Sequence, residues 1–365
     1  MTRQVLFAGM TAVIALLSLL AGSGIGQAYQ LYPITSMLVM GAFLLFPVGR
    51  TLNSGYVRQR ELFLTLGLVM IIAVWPATQG YTRQGLQYGF LLVLPYVIGQ
   101  FSFSERDIRA IGCGAGAVGF AVVAAALVLT IFNGWNRNDI AMVGFMGCAI
   151  TCAAPWRTWF QKIVHKVYLV LMTLMVLALN SRSCVVGCLL LTVFAFGFVK
   201  PELFVKKPWL RRLVLLSPAI IAVGTVLFQS SQAFISLNAW SIEYFNKPLF
   251  NDRNILWERG LIKLREGYWL GDGYINNGYW HNCAITMLTG FGIVGYTAWL
   301  LYFENIMVDC RRWREDKTLI LCIASFLTIM FQQSFELGLV STTGSMMPYL
   351  ILGMILGRMR HLREK

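Results

Sequence analysis

The run NDRNILWERGLIKLREGYWLGDGYINNGYWHNCAITMLTGFGIVG, Asn251 to Gly295, decides how the rest of the chain is read. It is the only long passage in which charges, aromatics and glycines crowd together in place of hydrocarbon. Around it lie apolar segments and short connections. Hydrophobic residues make up 57% of the 365 and charged residues only 13%, with a mean hydropathy of +0.65. A water-soluble domain carries charge on about a quarter of its residues. The composition therefore predicts an all-α polytopic membrane protein, with residues 1–365 as a single transmembrane domain. The quoted run then supplies most of one large external loop, 229–281, holding short helices.

Working outward from the loop, about twelve apolar segments can cross ~30 Å of hydrocarbon, some only by borrowing flanking residues or thinning the bilayer. They are Val5–Ala21, Ile34–Val48, Leu62–Ala77, Tyr88–Phe101, Ile108–Ile131, Ile140–Pro155, Val167–Leu179, Val185–Val199, Leu213–Leu227, Ala284–Tyr302, Leu319–Phe331 and Met346–Leu356. The first, behind Arg3 and ahead of Ala-Gly-Ser-Gly, has the look of a signal peptide and is read as a retained helix.

Successive connections alternate between basic and nearly basic-free. Arg3, Arg50, Arg58, Arg60, Arg106, Arg109, Arg157, Lys162, Lys166, Lys200, Lys206, Lys207, Arg211, Arg212, Arg311, Arg312, Arg314, Lys317, Arg358, Arg360, Arg363 and Lys365 all fall on one side. The positive-inside rule makes that side cytoplasmic and places both termini there. The net charge of +14 is thus a topology signal and argues against nucleic acid as a partner. The eight cysteines lie mostly in apolar runs without C-x-x-C spacing, and Cys148/Cys152 and Cys184/Cys188, one helical turn apart, read as buried hydrophobes.

Few basic residues remain outside: Arg83, Arg137, Arg182, Lys247, Arg253, Arg259, Lys263 and Arg265. Arg182, in the short turn LALNSRSCVVG, either snorkels to headgroups or lines a polar cavity, because an arginine at depth is costly alone. Arg83 and Arg137 share these alternatives, and Asp139 is available as a partner for Arg137. A helix through Arg253, Leu256, Trp257, Gly260, Leu261 and Leu264, capped by Asn251 or Asp252, sets Arg253 in its first turn. Its amides and dipole there favour an anion, although an amphipathic helix resting on the membrane has the same periodicity. The aromatics of the loop, Tyr274 among them, either anchor it at the interface or stack on sugar faces. His165 and His361 fall on the cytoplasmic side, so His281 is the only external histidine, followed at once by Asn282 and an apolar helix. Asp252, Glu258, Glu266 and Asp272 read as capping or solvated carboxylates. Gly290, Gly292 and Gly295 suit close helix packing and are no dinucleotide fingerprint, lacking a preceding strand.

The order of Ser181-Arg182, Arg253 with Trp257, Gly271 with Gly273, His281-Asn282 and the Gly290, Gly292, Gly295 string resembles the O-antigen ligase and polymerase superfamily. The resemblance is strongest from Asn180 to about Tyr302; further upstream it extends to hydropathy and the N-x-x-A of Asn138 to Ala141, and the external loop is short for that family. It implies a GT-C-like, metal-independent, inverting glycosyltransferase needing no cofactor, in the bacterial cytoplasmic (inner) membrane with its active site facing the periplasm or exterior. The donor would be an undecaprenyl-diphosphate-linked oligosaccharide and the acceptor a glycan or lipid-linked glycan, with membrane lipids and a chain-length regulator as further partners. Arg182 and Arg253 would bind the diphosphate and His281 would act as general base, with Arg83, Arg137, Asn282, Trp257 and Tyr274 binding substrate. A repeat-unit polymerase is the leading expectation, an O-antigen ligase the nearest alternative, and a lipid-linked oligosaccharide transporter the alternative from another class.

Overall fold

A computed structural model describes residues 3–22, 67–129, 135–274, 280–337, 339–340 and 346–365. Among them the chain is helical throughout, with no strand. In chain order the helices are α1 (Arg3–Gly22), α2 (Gly67–Thr78), α3 (Thr82–Gly99), α4 (Glu105–Val128), α5 (Arg137–Cys152), α6 (Trp159–Ala178) and α7 (Arg182–Phe196). They continue as α8 (Pro208–Phe228), α9 (Gln232–Phe245), α10 (Arg253–Leu264), α11 (Cys283–Val308), α12 (Lys317–Gln332) and α13 (Met346–Arg363). Each apolar segment read from the sequence meets a helix over its described residues except Ile34–Val48, which lies outside them. Four described helices, α4, α6, α8 and α11 with its short continuation, are long and apolar enough to cross a membrane.

Local chemistry sets the boundaries. The Ser104 hydroxyl accepts from the Asp107 amide while the Asp107 carboxylate accepts from the Ser104 amide, a reciprocal box that starts α4. Thr158 and Gln161 do the same for α6, and Gly197, at φ +82°, ends α7 in the left-handed conformation. Inside the body α4 packs on α1 and α5, α13 on α3, and α7 on α6. A side chain at Gly114 would overlap the Ala8 carbonyl, so this glycine lets α4 and α1 approach backbone to backbone.

The body has two chemically distinct ends. At one, the wholly buried Arg211 grips Glu304 through two 2.7 Å bonds and Arg212 adds a third at 3.1 Å. Arg358 there binds Asp316 at 2.6 Å and lies 3.5 Å from Glu105, which Arg157 also holds at 2.6 Å. Following α8 from Arg211, or α12 from Asp316, leads to the opposite end, where Gln229 meets Glu258 and Asn254 of α10 and where α12 is succeeded by Glu336. Arg182, Arg253 and His281 are at that second end. Among the described residues, Arg157, Arg211, Arg212 and Arg358 thus stand at one end and Arg182 and Arg253 at the other.

The loop carries α9 and α10, short helices as expected, and α10 packs on α8 and α11. Two readings of the loop need correction. Asn251 and Asp252 do not cap α10: both have left-handed backbone, at φ +53° and +61°, and no side chain caps that helix. Gly292 does not serve close helix packing; it breaks α11, with φ +63° and ψ −169°. The broken stretch is bridged by the loop: the amides of Asp272 and Gly273 donate to the carbonyls of Thr289 and Gly290, and those of Ile293 and Val294 donate to Tyr268 and Trp269. Backbone groups freed by the break thus find partners, as burial requires.

Candidate functional site

A cavity of about 260 Å³ opens at the second end between α5, α7, α10 and the segment after α12. Arg182, Lys247 and Arg253 line it together with Asn138, Ser183 and Glu336. Helix polarity explains the convergence. Both α7 and α10 begin at the cavity, each with an arginine as its first residue and neither with a capping side chain. The Ser181 hydroxyl, at the cap position of α7, is buried and has no hydrogen-bond partner among the described residues. Uncapped amides and the positive ends of two helix dipoles reinforce the guanidinium charges.

The two arginines are held in place by the protein. Arg182 donates from Nη1 and Nη2 to the Pro248 carbonyl, both at 3.2 Å, and from Nη1 to that of Leu249 at 3.4 Å. Arg253 donates from Nη1 to the Phe335 carbonyl and from Nη2 to Glu336 Oε1 at 2.9 Å. Each guanidinium has five donors, so both retain N–H groups for a ligand.

Glu336 is the residue that sequence reasoning missed. Its Oε1 also accepts from the Ser183 hydroxyl at 2.9 Å, and its Oε2 lies 3.7 Å from Nδ1 of His281. That last separation is an ion-pair distance and longer than a hydrogen bond. The carboxylate is buried, whereas the His281 side chain is 37% exposed. Burial pushes the Glu336 carboxyl up, but the His281 imidazole and the Arg253 guanidinium together outweigh it and hold the group below the usual glutamate value. His281 does not itself line the cavity; it joins the cluster through Glu336. Its backbone is left-handed, at φ +46°, immediately before α11 begins.

The remaining expected site residues separate into those near the cavity and those that build it. Asn282 is fully buried: its amide oxygen accepts from the Ile285 amide at 3.0 Å and its nitrogen donates to the carbonyls of Pro218 and Ser334 at 2.9 and 2.8 Å. With those bonds made, Asn282 ties α8, α11 and the end of α12 together instead of facing a ligand. Trp257 is likewise fully buried, donating to the Trp280 carbonyl at 2.8 Å and packing on Phe250, which stacks on Phe335. Trp257 and Phe250 thus pack against Phe335, the residue before Glu336. Tyr274 lies against Tyr81, ring centroids 4.8 Å apart, and away from the cavity lining. Arg137 is exposed in the first turn of α5, beside the lining residue Asn138, and no ion pair joins it to Asp139 among the described residues. The Arg83 side chain lies outside the described residues. Of the loop carboxylates, Asp272 pairs with Lys263 at 2.6 Å and Glu258 accepts from Gln229 at 3.1 Å.

No family model matches this sequence, and no curated protein matches it either.

Proposed function

We infer that this protein is a membrane glycosyltransferase that moves a glycan from a polyprenyl diphosphate to an acceptor hydroxyl, most simply a polymerase of polysaccharide repeat units. The observation that carries the reading is the convergence of two uncapped, arginine-led helix N-termini on one cavity. Arg182, Lys247 and Arg253 face a single lining carboxylate, Glu336, so the cavity favours a multiply charged anion. A diphosphate leaving group is such an anion, and the apolar helices around it suit the lipid that carries it.

In this reaction an acceptor oxygen attacks the anomeric carbon as the bond from that carbon to the diphosphate oxygen breaks. The departing electron pair stays on the diphosphate, where Arg182 and Arg253 stabilise the growing charge. The acceptor proton passes to His281, whose Nδ1 side faces Glu336, leaving Nε2 to accept it. Glu336 then stabilises the imidazolium, the task a carboxylate performs behind a catalytic histidine. The energy of the donor bond drives the transfer. The cavity end is the external side in this reading, as the positive-inside rule requires.

The test is purified protein and its His281→Ala variant incubated with lipid-diphosphate-linked repeat units. Chain growth by the parent alone supports the polymerase with His281 in the reaction, and growth by both removes His281 as base. Transfer by the parent only when lipid A-core is the acceptor moves the protein to the ligase reaction. No transfer with either acceptor overturns the enzyme reading in favour of transport.

A further inference from the structure

At the opposite end of the body two cavities share a wall. One, about 500 Å³, runs between α4 and α6 and is almost wholly apolar, lined by Cys113, Ala117, Phe120, Phe160, Val164 and Leu171. The other, about 220 Å³, lies between α6, α7 and α12, and its lining includes Lys162, Lys166, Leu191, Phe194 and Ser325. Trp156 and His165 line both, their rings 5.4 Å apart and tilted by 34°. Trp156 is fixed in that wall by a 3.1 Å bond to the Thr151 carbonyl.

The smaller cavity has the chemistry of an anion site. Lys162 and Lys166 are one turn apart on α6, so both ammonium groups reach the same face. Lys166 stands over the Phe196 ring at 4.8 Å, and neither lysine forms an ion pair among the described residues. Ser325, 1% exposed, belongs to this lining, and its buried hydroxyl has no hydrogen-bond partner among the described residues. A serine within a helix ordinarily bonds a carbonyl one turn back, and a buried hydroxyl left without a partner is destabilising. Ser325 lies eight residues into α12, roughly 12 Å below its start by helix rise. The lining therefore runs inward from the two lysines toward Ser325.

We propose that this pair of cavities binds one anionic phospholipid, its phosphate between Lys162 and Lys166 and an acyl chain along the α4–α6 groove. Two lysines with no acidic partner select a headgroup with net negative charge over a zwitterionic one, whose ammonium they repel. The apolar groove selects a phospholipid over free phosphate. The site is distant from the cavity of Arg182 and Arg253 and does not depend on the glycan-transfer reading.

Native mass spectrometry of the full chain, released from mixed micelles containing phosphatidylglycerol and phosphatidylethanolamine, tests it. The parent is expected to retain one phosphatidylglycerol in preference to phosphatidylethanolamine, roughly tenfold. Lys162→Ala with Lys166→Ala erases the preference, and Ala117→Trp, which fills the groove from an exposed position, lowers retention of both lipids. Lys207→Ala, an exposed lysine lining neither cavity, leaves the preference intact. Equal retention of the two lipids by the parent overturns the proposal, as does a preference that survives the double lysine variant or is lost equally with Lys207→Ala. Displacement of the bound lipid by millimolar inorganic phosphate would overturn the lipid assignment.

Discussion

Arg253 and Glu336, 83 positions apart in sequence, meet at 2.9 Å through Nη2 and Oε1, and both side chains are largely buried. The contact joins the loop helix α10 to the segment that follows α12, and through Oε2 it reaches His281 at 3.7 Å. One carboxylate thus contacts, on one side, the arginine proposed to bind the diphosphate and, on the other, the proposed base.

If His281 and Glu336 act as a unit, their substitutions will not add. His281→Ala and Glu336→Gln are each expected to slow glycan transfer by about a hundredfold to ten-thousandfold, the range for a general base. The double variant should be scarcely slower than the worse single one. Initial rates of chain growth on purified donor check this. Full additivity would mean that the two residues contribute separately.

The same carboxylate makes stability depend on acid. The folded-state value of Glu336 lies below the ordinary glutamate value of about 4.3. Its contribution is therefore complete above about pH 4.3 and is lost as pH falls through the depressed value. Glu336→Gln removes that contribution at every pH, so the Tm gap between parent and variant, measured in detergent, should be widest at neutral pH and close in acid. Glu336→Ala, which strands Arg253 without its carboxylate, should cost about 3 kcal/mol at neutral pH.

The sequence exposed the cationic half of this site and hid the rest, for physical reasons. Arginine is rare on the side opposite the basic connections, so Arg182 and Arg253 stood out. Glu336 sits in FQQSFELG, past the end of the apolar segment Leu319–Phe331, where neither periodicity nor a motif singles it out. A usable signal existed: it is the only acidic residue between Asp316 and Glu364, and a lone acid beside a membrane segment calls for a partner. Trp257 was legible as special but not as buried, because periodicity does not tell which face of a short loop helix meets the body; Asn282 reads, beside His281, as a ligand residue, whereas its side chain caps α11. Composition gave the all-helical architecture directly. The break at Gly292 was not legible, since a glycine inside an apolar run reads equally well as close packing.

That break yields a stability prediction. At φ +63° and ψ −169° Gly292 occupies backbone space essentially reserved for glycine, and an added Cβ would overlap the Trp269 carbonyl. Gly292→Ala is expected to cost at least about 1–3 kcal/mol and to loosen the loop bonds from Ile293 and Val294 to Tyr268 and Trp269. Limited proteolysis should then cut residues 265–274 faster than in the parent. Gly224, where an added Cβ meets nothing within 4 Å, provides the control, and Gly224→Ala should leave proteolysis unchanged.

Arg182 poses the sharpest question, since its guanidinium both holds the Pro248 and Leu249 carbonyls and faces the cavity. Lysine keeps the charge but loses the planar fork, so it cannot reproduce bonds from two terminal nitrogens. For a residue that only snorkels to headgroups, Arg182→Lys would be nearly silent. For one that binds diphosphate in a fixed frame, Arg182→Lys should raise the KM for the lipid-diphosphate donor about tenfold or more and weaken inhibition by inorganic pyrophosphate in parallel. The acceptor KM should stay near that of the parent, because in the proposed reaction this guanidinium binds the leaving group and not the acceptor. A change in kcat alone, with pyrophosphate inhibition intact, would assign Arg182 to positioning of the 247–251 turn and leave Arg253 as the phosphate ligand.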